Sequence, residues 1–377
     1  MAGIYIHIPF CKQACYYCDF HFSTSLKKKD EMIEAILDEL LLRRSEVGAE
    51  QIETIYFGGG TPSLLEVSEL NRILAFIAAH FEVIENPEIT LEANPDDLNV
   101  DALQKLAQTR INRLSIGIQS FYEADLKMMN RAHNAQEALN CLVEATKYFK
   151  NISIDLIYGI PGMTEERWLQ NIETVLSLGI AHISSYALTV EPKTALHKMI
   201  QTGSIPKPDD GMAHQHFLLL MDRLKEAGFI HYELSNFGKE GYFSQNNSAY
   251  WLGKRYLGVG PSAHSFDGQS RSWNISNNSL YIKGIQTKVL PIEREELSEA
   301  DRYNEYVMTG LRTIWGVDLA RVESDFGVGF KSYILTQSAR FIADDLMSND
   351  SGVLTITNKG KFLSDGIAAD LFWLNLK

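Results

Sequence analysis

Hydrophobic and polar positions alternate in two rhythms along the first half of the chain. Short runs rich in β-branched residues predict strands at Ile4–Ile8, Thr54–Phe57, Ile89–Glu92, Arg113–Ile118, Ser153–Ile157 and His182–Leu188. Between them, apolar residues recur every three or four positions over Asp30–Val47, Val67–Phe81, Asp101–Thr109, Ala135–Phe149 and Glu166–Leu178, which predicts helices with one buried face. Ser63 and Thr164 stand where N-caps belong, Thr164 being followed by Arg167 rather than by the Glu of a full capping box. Strand-then-helix repetition up to about residue 190 implies a parallel sheet with right-handed crossovers. A closed barrel needs eight such units, so the expected fold is α/β, an incomplete parallel barrel. Its polar and Gly-rich segments follow the strands, where such folds bind their ligands.

Beyond that point the rhythm changes. Asp209–Gly228 reads as a helix ending in glycine, and the short apolar segment Phe229–Asn236 follows it. A stretch rich in Gly, Ser, Asn and aromatics then runs to about Trp273. From about Pro291, helical patterns at Ser298–Ile314 and near Lys331–Met347 precede the strand-like Gly352–Ile356, an order that suggests a smaller winged-helix-like α/β unit. The expected organisation is a barrel over 1–235, an irregular segment packing on it over 236–290, and a C-terminal unit over 291–377.

A chain of 377 residues, 45% hydrophobic and 22% charged, has the composition of a globular protein. No apolar run reaches the roughly 18 residues of a membrane span, and the first residues lack the basic-then-apolar pattern of a secretory signal. A cytoplasmic location is expected, with at most peripheral membrane contact. The net charge of −13 argues against nucleic acid as a partner, because phosphate binding is driven by Lys and Arg. Lys27-Lys28-Lys29, the one basic run, reads as a solvated turn before a helix.

Three of the four cysteines fall within Cys11-Lys12-Gln13-Ala14-Cys15-Tyr16-Tyr17-Cys18, and the fourth, Cys141, lies in a predicted helix as a small core residue. Three thiolates at this spacing fit three irons of a [4Fe–4S] cubane and leave the fourth iron open for S-adenosylmethionine (SAM). With His21 the same cysteines could instead make a structural tetrahedral zinc site. Phe57-Gly58-Gly59-Gly60-Thr61-Pro62-Ser63 follows the second strand directly. Its glycines let backbone approach a ligand, although tight strand-to-helix turns use glycine too.

Taken together, these residues resemble the radical SAM family that includes oxygen-independent coproporphyrinogen III dehydrogenase and its relative, the heme chaperone HemW. The likeness spans nearly the whole chain, from Tyr5-Ile6-His7-Ile8-Pro9-Phe10 to Gly310-Leu311-Arg312 and Gly316-Val317-Asp318-Leu319. It implies an incomplete (β/α)6 barrel with a cluster on Cys11, Cys15 and Cys18. It also implies SAM contacts from Tyr5, Gly59, Gly60, Thr61, Glu92, Gln119, Arg131 and Asp155. Read singly, Asp155 is also explicable as a strand-end cap, Arg131 as a surface ion pair and Glu92 as a barrel-mouth carboxylate.

The resemblance has two branches. The dehydrogenase branch decarboxylates porphyrinogen propionates and carries a further Cys two residues after the third cluster Cys, together with an N-terminal extension. Here that position is Phe20 and only ten residues precede Cys11, so decarboxylase activity is not expected. The other branch binds heme and passes it to acceptor hemoproteins, with a flavodoxin or ferredoxin as the kind of electron donor implied. Its His-Asn-x-x-Tyr-Trp motif corresponds to Asn246-Asn247-Ser248-Ala249-Tyr250-Trp251, with Asn246 in place of the histidine. An amide is a poor iron ligand. Asn247, Tyr250, Trp251 and His264 are the expected heme contacts, with His231 a further possible ligand. His214 and His216, two apart on a helix, do not share a face. The leading expectation is a heme chaperone with a cluster and SAM. The alternatives are a coproporphyrinogen III dehydrogenase and a zinc-stabilised binding module.

Overall fold

The structure, a computed structural model, describes residues 2–374. Six parallel strands form its centre: β1 (Ala2–Ile8), β2 (Ile52–Gly59), β3 (Val83–Ala93), β4 (Arg113–Gln119), β5 (Asn151–Tyr158) and β6 (His182–Ala187). Each sits within a few residues of its predicted position, because alternation places one set of side chains against the helices and the other inside. Ile4, Ile6, Ile55, Phe57, Leu91, Leu114, Ile116, Ile154 and Ile183 belong to the core shared with the helices. The opposite face carries Tyr5, Tyr56, Glu92, Arg113, Ser115, Ser153, Asp155, His182 and Ser184, a polar barrel interior.

Two short strands, β7 (Ile230–Glu233) and β8 (Asn236–Gly238), close one edge of the sheet, β8 antiparallel to β6. At the other edge β9 (Arg255–Val259) runs parallel to β1, and β10 (His264–Phe266), β11 (Ser270–Asn274) and β12 (Ile292–Glu296) follow antiparallel. The order is therefore β12-β11-β10-β9-β1-β2-β3-β4-β5-β6-β8-β7, an open barrel of six parallel units with extended edges. Residues 236–290, expected to be irregular, carry more regular structure than their composition suggests. Their strands are three to five residues long; β8 and β9 bury Phe237, Leu257 and Val259, while β10 and β11 bury Ser265, Ser270, Ser272 and Asn274 instead of an apolar stripe.

A charged network takes the place of that stripe. Arg43, buried, donates to Glu39 Oε1 at 2.9 Å, to the Gly258 carbonyl at 2.9 Å and to Ser265 Oγ at 3.0 Å. Glu39 in turn accepts from the Gly260 amide at 2.8 Å and the Tyr281 hydroxyl at 2.5 Å. A buried ion pair repays its desolvation only when its remaining hydrogen-bonding capacity is met, as it is here. The network holds β9 and β10 against the first helix, Lys29–Leu42.

The helix Gln245–Trp251 packs on β2 and β9. Glu88 in the middle of β3 accepts from the Gln245 and Asn246 amides at 3.1 and 3.0 Å, and Ser244 Oγ accepts from the Asn247 amide at 3.3 Å. The free amides of this helix start are thus met by a carboxylate and a hydroxyl.

The C-terminal unit has its own core of Tyr303, Val307, Leu311, Val322, Ile334 and Leu354. Helices Glu299–Leu311, Leu319–Phe326 and Val328–Ala343 surround a small antiparallel sheet of β13 (Val317–Asp318), β14 (Met347–Asp350) and β15 (Val353–Ile356). The expected helix, second helix and terminal strand are present, with β13 and the helix Leu319–Phe326 added between the two helices, which together give a winged-helix-like order. Backbone hydrogen bonds join the unit to β7: the Leu234 amide donates to the Arg312 carbonyl, and the Ile314 amide to the Tyr232 carbonyl, both at 3.0 Å.

Thr164 caps its helix by accepting from the Arg167 amide at 3.2 Å, as predicted. Ser63 does not cap. It lies inside the 3₁₀ turn Pro62–Leu64, and its hydroxyl donates to Asp97 Oδ2 at 2.8 Å, while Glu66 takes the cap position of the helix Val67–His80.

Candidate functional site

The loop after β1 carries Cys11, Cys15 and Cys18, all half-buried and none in a disulfide. Backbone bonds from two sides fix this loop. Cys11 N–H donates to the Ser23 carbonyl at 3.1 Å, the Tyr16 amide to the Met129 carbonyl at 3.1 Å, and the Leu196 amide to the Tyr16 carbonyl at 2.8 Å. Lys12 pairs with Asp96 at 2.8 Å and with Asp97. Burial pushes the Cys11 thiol up and the Cys18 thiol up to about 11. Both are neutral thiols until a cation replaces their protons. Cys141 is buried in the helix Ala135–Tyr148, as expected.

The glycine turn is zipped to this loop. Gly60 N–H donates to the Ile8 carbonyl at 2.9 Å and Thr61 N–H to the Phe10 carbonyl at 2.6 Å. A Cβ at Gly60 would meet the Phe10 carbonyl oxygen at 2.5 Å, and one at Gly59, whose φ is +104°, would meet the His7 ring at 2.6 Å. Only glycine permits backbone and cluster loop to approach this closely. Gly59 N–H donates to Glu92 Oε2 at 3.2 Å, and the Tyr56 hydroxyl donates to Glu92 Oε1 at 2.8 Å. Burial, and Asp155 beyond it, raise the Glu92 carboxyl to about 7; burial likewise raises Asp155 to about 6.

Arg131 joins the cysteine loop to the strand ends. One guanidinium nitrogen donates to Cys15 Sγ at 3.3 Å, and the other to Asn94 Oδ1 at 2.6 Å and the Gly117 carbonyl at 2.8 Å. Its Nε is buried with no partner among the described residues. Asn94 continues the chain by donating to Thr61 Oγ1 at 3.2 Å. Gln119 ends β4 in the left-handed region at φ +67°. Tyr5 stacks on Tyr56 at 6.0 Å, and its hydroxyl donates to His7 Nδ1 at 3.3 Å while His7 Nε2 donates to the His21 carbonyl at 3.0 Å. Burial holds that imidazole neutral, down to about 4.

A cleft of about 730 Å³ opens beside this array, lined by Tyr5, Gly59, Glu92, Tyr250 and His264 among others. Of the expected heme contacts it takes in Tyr250 and His264. Asn247 and Trp251 are not on its wall: Trp251 lies under the Arg312 guanidinium at 5.6 Å, toward the C-terminal unit. Asn246 is buried and accepts from Thr54 Oγ1 at 3.1 Å. His231 is also elsewhere, stacked on Phe237 at 4.0 Å. The His21 ring is committed to Asn278 Oδ1 at 2.7 Å.

Several residues of the site escape a reading of the sequence. Arg113, buried inside the barrel, has Glu92, Asp155 and His182 in its electrostatic field. Its signal was the alternation Arg113, Ser115, Gly117, Gln119. Asn94, adjacent to the Ala93 that ends β3, is the link between Arg131 and Thr61.

An open parallel barrel with free thiols on its first loop, a glycine turn against them and polar strand ends converging beside them is the arrangement of a radical SAM protein. The sequence matches the radical SAM superfamily over residues 5–175 and the HemN C-terminal domain over residues 297–363. It is 32% identical to the heme chaperone HemW of Bacillus subtilis over 371 residues, 97% of this chain and 98% of that one. It is 34% identical to the heme chaperone HemW of Lactococcus lactis, over 96% and 95% of the two chains. Its fold is that of the coproporphyrinogen III oxidase (HemN) from Escherichia coli, with TM-score 0.86 and 23% identity over 98% of this chain and 90% of that one. The chain belongs to the HemW family of radical SAM proteins.

Membership in that superfamily implies a [4Fe–4S] cluster and SAM as cofactors. The residues present fit both groups. Three unpaired thiols on one pinned loop are the donor set for the cluster. The orphaned Nε–H of Arg131, buried beside the cysteine loop, suits an anionic ligand such as the carboxylate of the methionine part of SAM.

Proposed function

We propose that this chain is a heme-trafficking protein that holds a cluster through Cys11, Cys15 and Cys18 and SAM across the strand ends, and carries heme to acceptor hemoproteins. The observation that carries the reading is full-length likeness to heme chaperones combined with Phe20 at the position where the decarboxylating branch has a further cysteine. When bound, the cluster and SAM together supply one-electron chemistry at a carbon–sulfur bond. The chain's own part is positioning. Arg131 reaches a carboxylate through Nε, Glu92 and Asp155 accept from hydroxyl groups, Gln119 and Tyr5 flank the ligand, and Thr61 fixes Asn94 and through it Arg131. Heme enters as cargo in the 730 Å³ cleft, where His264 and Tyr250 are the candidate iron ligands. Burial and the Arg271 charge lower the His264 pKa, which keeps its imidazole in the neutral, metal-binding form. Asn247 and Trp251 then act from behind, in the helix that presents Tyr250.

We assign residues 1–235 to the barrel, 236–290 to its extension and 291–377 to the C-terminal unit, whose first strand, β12, completes the edge of the barrel's sheet. Among the described residues no helix is long and apolar enough to cross a membrane. We place the chain in the cytoplasm, reduced by a flavodoxin or ferredoxin, with at most peripheral contact with membranes. The test is anaerobic reconstitution with iron and sulfide, a SAM-binding measurement, and incubation of the reduced protein with SAM and coproporphyrinogen III. Iron, sulfide and SAM uptake without a vinyl product is the expected result. A decarboxylated product would overturn the chaperone reading.

A further inference from the structure

A second cleft, of about 790 Å³, lies far along the chain from the cysteine loop, where the C-terminal end of β6 meets the C-terminal unit. Its walls mix apolar side chains with Lys361, Arg312, Asp365 and Asp370, and three of the apolar ones are open to solvent: Tyr186 is 45%, Phe362 43% and Leu363 53% exposed. Phe362 is held in place by the His214 ring at 4.5 Å. Lys361 stands where this cleft joins a smaller one of about 330 Å³.

The charge balance here is unusual. Lys361 donates to His231 Nδ1 at 2.7 Å, and His231 Nε2 donates to the Leu234 carbonyl at 3.0 Å, so the imidazole is neutral. No carboxylate lies within ion-pair distance of Lys361 among the described residues. The other cation of the cleft, Arg312, is already paired with Asp365 at 2.6 Å, and Asp370 on the same wall is paired with Arg340 at 2.6 Å; Glu233 lines the smaller cleft, its carboxyl raised to about 7 by burial. An ammonium taken out of water without a counter-charge is costly, and burial lowers Lys361 to about 8. An anionic group would offset that cost. The cleft by the cysteine loop is the reverse case, because Asp19 and Glu92 line it and no Lys or Arg does.

We propose that the cleft at Lys361 binds a large apolar carboxylate, with its carboxylate on Lys361 and its body against Phe362 and Tyr186. For its natural ligand this rests on the reading of heme carriage: the ligand is then a porphyrin whose propionates meet Lys361, at a station separate from the imidazole-lined cleft.

Two fluorescent probes test the site on the full chain. Protoporphyrin IX has the ring and propionates without iron, so iron-ligating side chains contribute nothing to its binding. Dansylundecanoic acid is a linear apolar carboxylate. Lys361→Met is expected to weaken protoporphyrin IX binding about tenfold or more, the loss of one charge-assisted contact. Phe362→Asp, at a position 43% exposed, is expected to do the same, with circular dichroism confirming that the variant is folded. Wild-type affinity should fall above about pH 8 as the ammonium loses its proton, and Lys361→Met should show no such step. Lys361-dependent binding of the linear acid alone keeps the site and removes its tie to porphyrin. Failure of hemin uptake in the first cleft, with protoporphyrin IX binding intact, sinks heme carriage and not this site. Binding of both probes unchanged in Lys361→Met and Phe362→Asp overturns the proposal.

Discussion

Cys11, Cys15 and Cys18 differ from Cys141 in one physical respect that decides their chemistry: they stand on a loop at the barrel mouth, whereas Cys141 is packed among Leu142 and Ala145 in the core. Replacement of any one of the three by Ser is expected to abolish retention of iron and sulfide after reconstitution, and Cys141→Ser to leave it intact, as iron and sulfide analysis would show. Glu92 offers a pH test. Its carboxyl is raised to about 7 by burial, so its contribution to stability is present below the ordinary carboxylate range and is lost as pH rises through 7. Glu92→Gln removes that loss. The stability of the SAM-free variant relative to wild type should therefore rise by on the order of 1 kcal/mol from about pH 5 to about pH 8 in urea melts. An unchanged difference would mean that Glu92 is better solvated than its position implies.

At the scale of elements, what the sequence reveals depends on how local the cause is. The strands β1 to β6 are legible because alternation and β-branching act within a few residues. The cysteine loop and the glycine turn are legible for the same reason. The strands β10 and β11 are not, since they bury polar side chains against Arg43, and β9, which buries Leu257 and Val259, is tied to Arg43 and Glu39 more than 200 residues earlier in the chain. Arg113 and Asn94 gain meaning only when neighbouring strands bring Glu92, Asp155 and Arg131 beside them. The motif position Asn246 shows the same limit: in sequence it reads as a lost iron ligand, while in the fold it is a buried partner of Thr54. A test at this scale is Gly60→Ala, whose methyl would meet the backbone carbonyls of Phe10, on the cysteine loop, and Ile8, at the end of β1, at 2.5 and 2.8 Å. The loop must move, so we expect a folded protein, by circular dichroism, that loses most of its cluster on gel filtration.

The whole molecule combines one barrel, two clefts and a C-terminal unit hydrogen-bonded to the barrel's edge. The cleft at the cysteine loop offers neutral imidazole and phenol groups and no cation, and the one at Lys361 offers a cation against aromatic walls. On the proposed reading they would meet the two chemistries a heme presents, an iron to be ligated and propionates to be paired, on a scaffold whose relatives are named heme chaperones. The most direct test of heme carriage is a hemin titration of the anaerobically reconstituted protein, followed at the Soret band, on wild type and on Asn246→His. Saturable uptake by the wild type, lost or shifted in His264→Ala or Tyr250→Phe, is the predicted result. Uptake by Asn246→His alone, with none by the wild type, would contradict it and leave a radical SAM protein that does not carry heme.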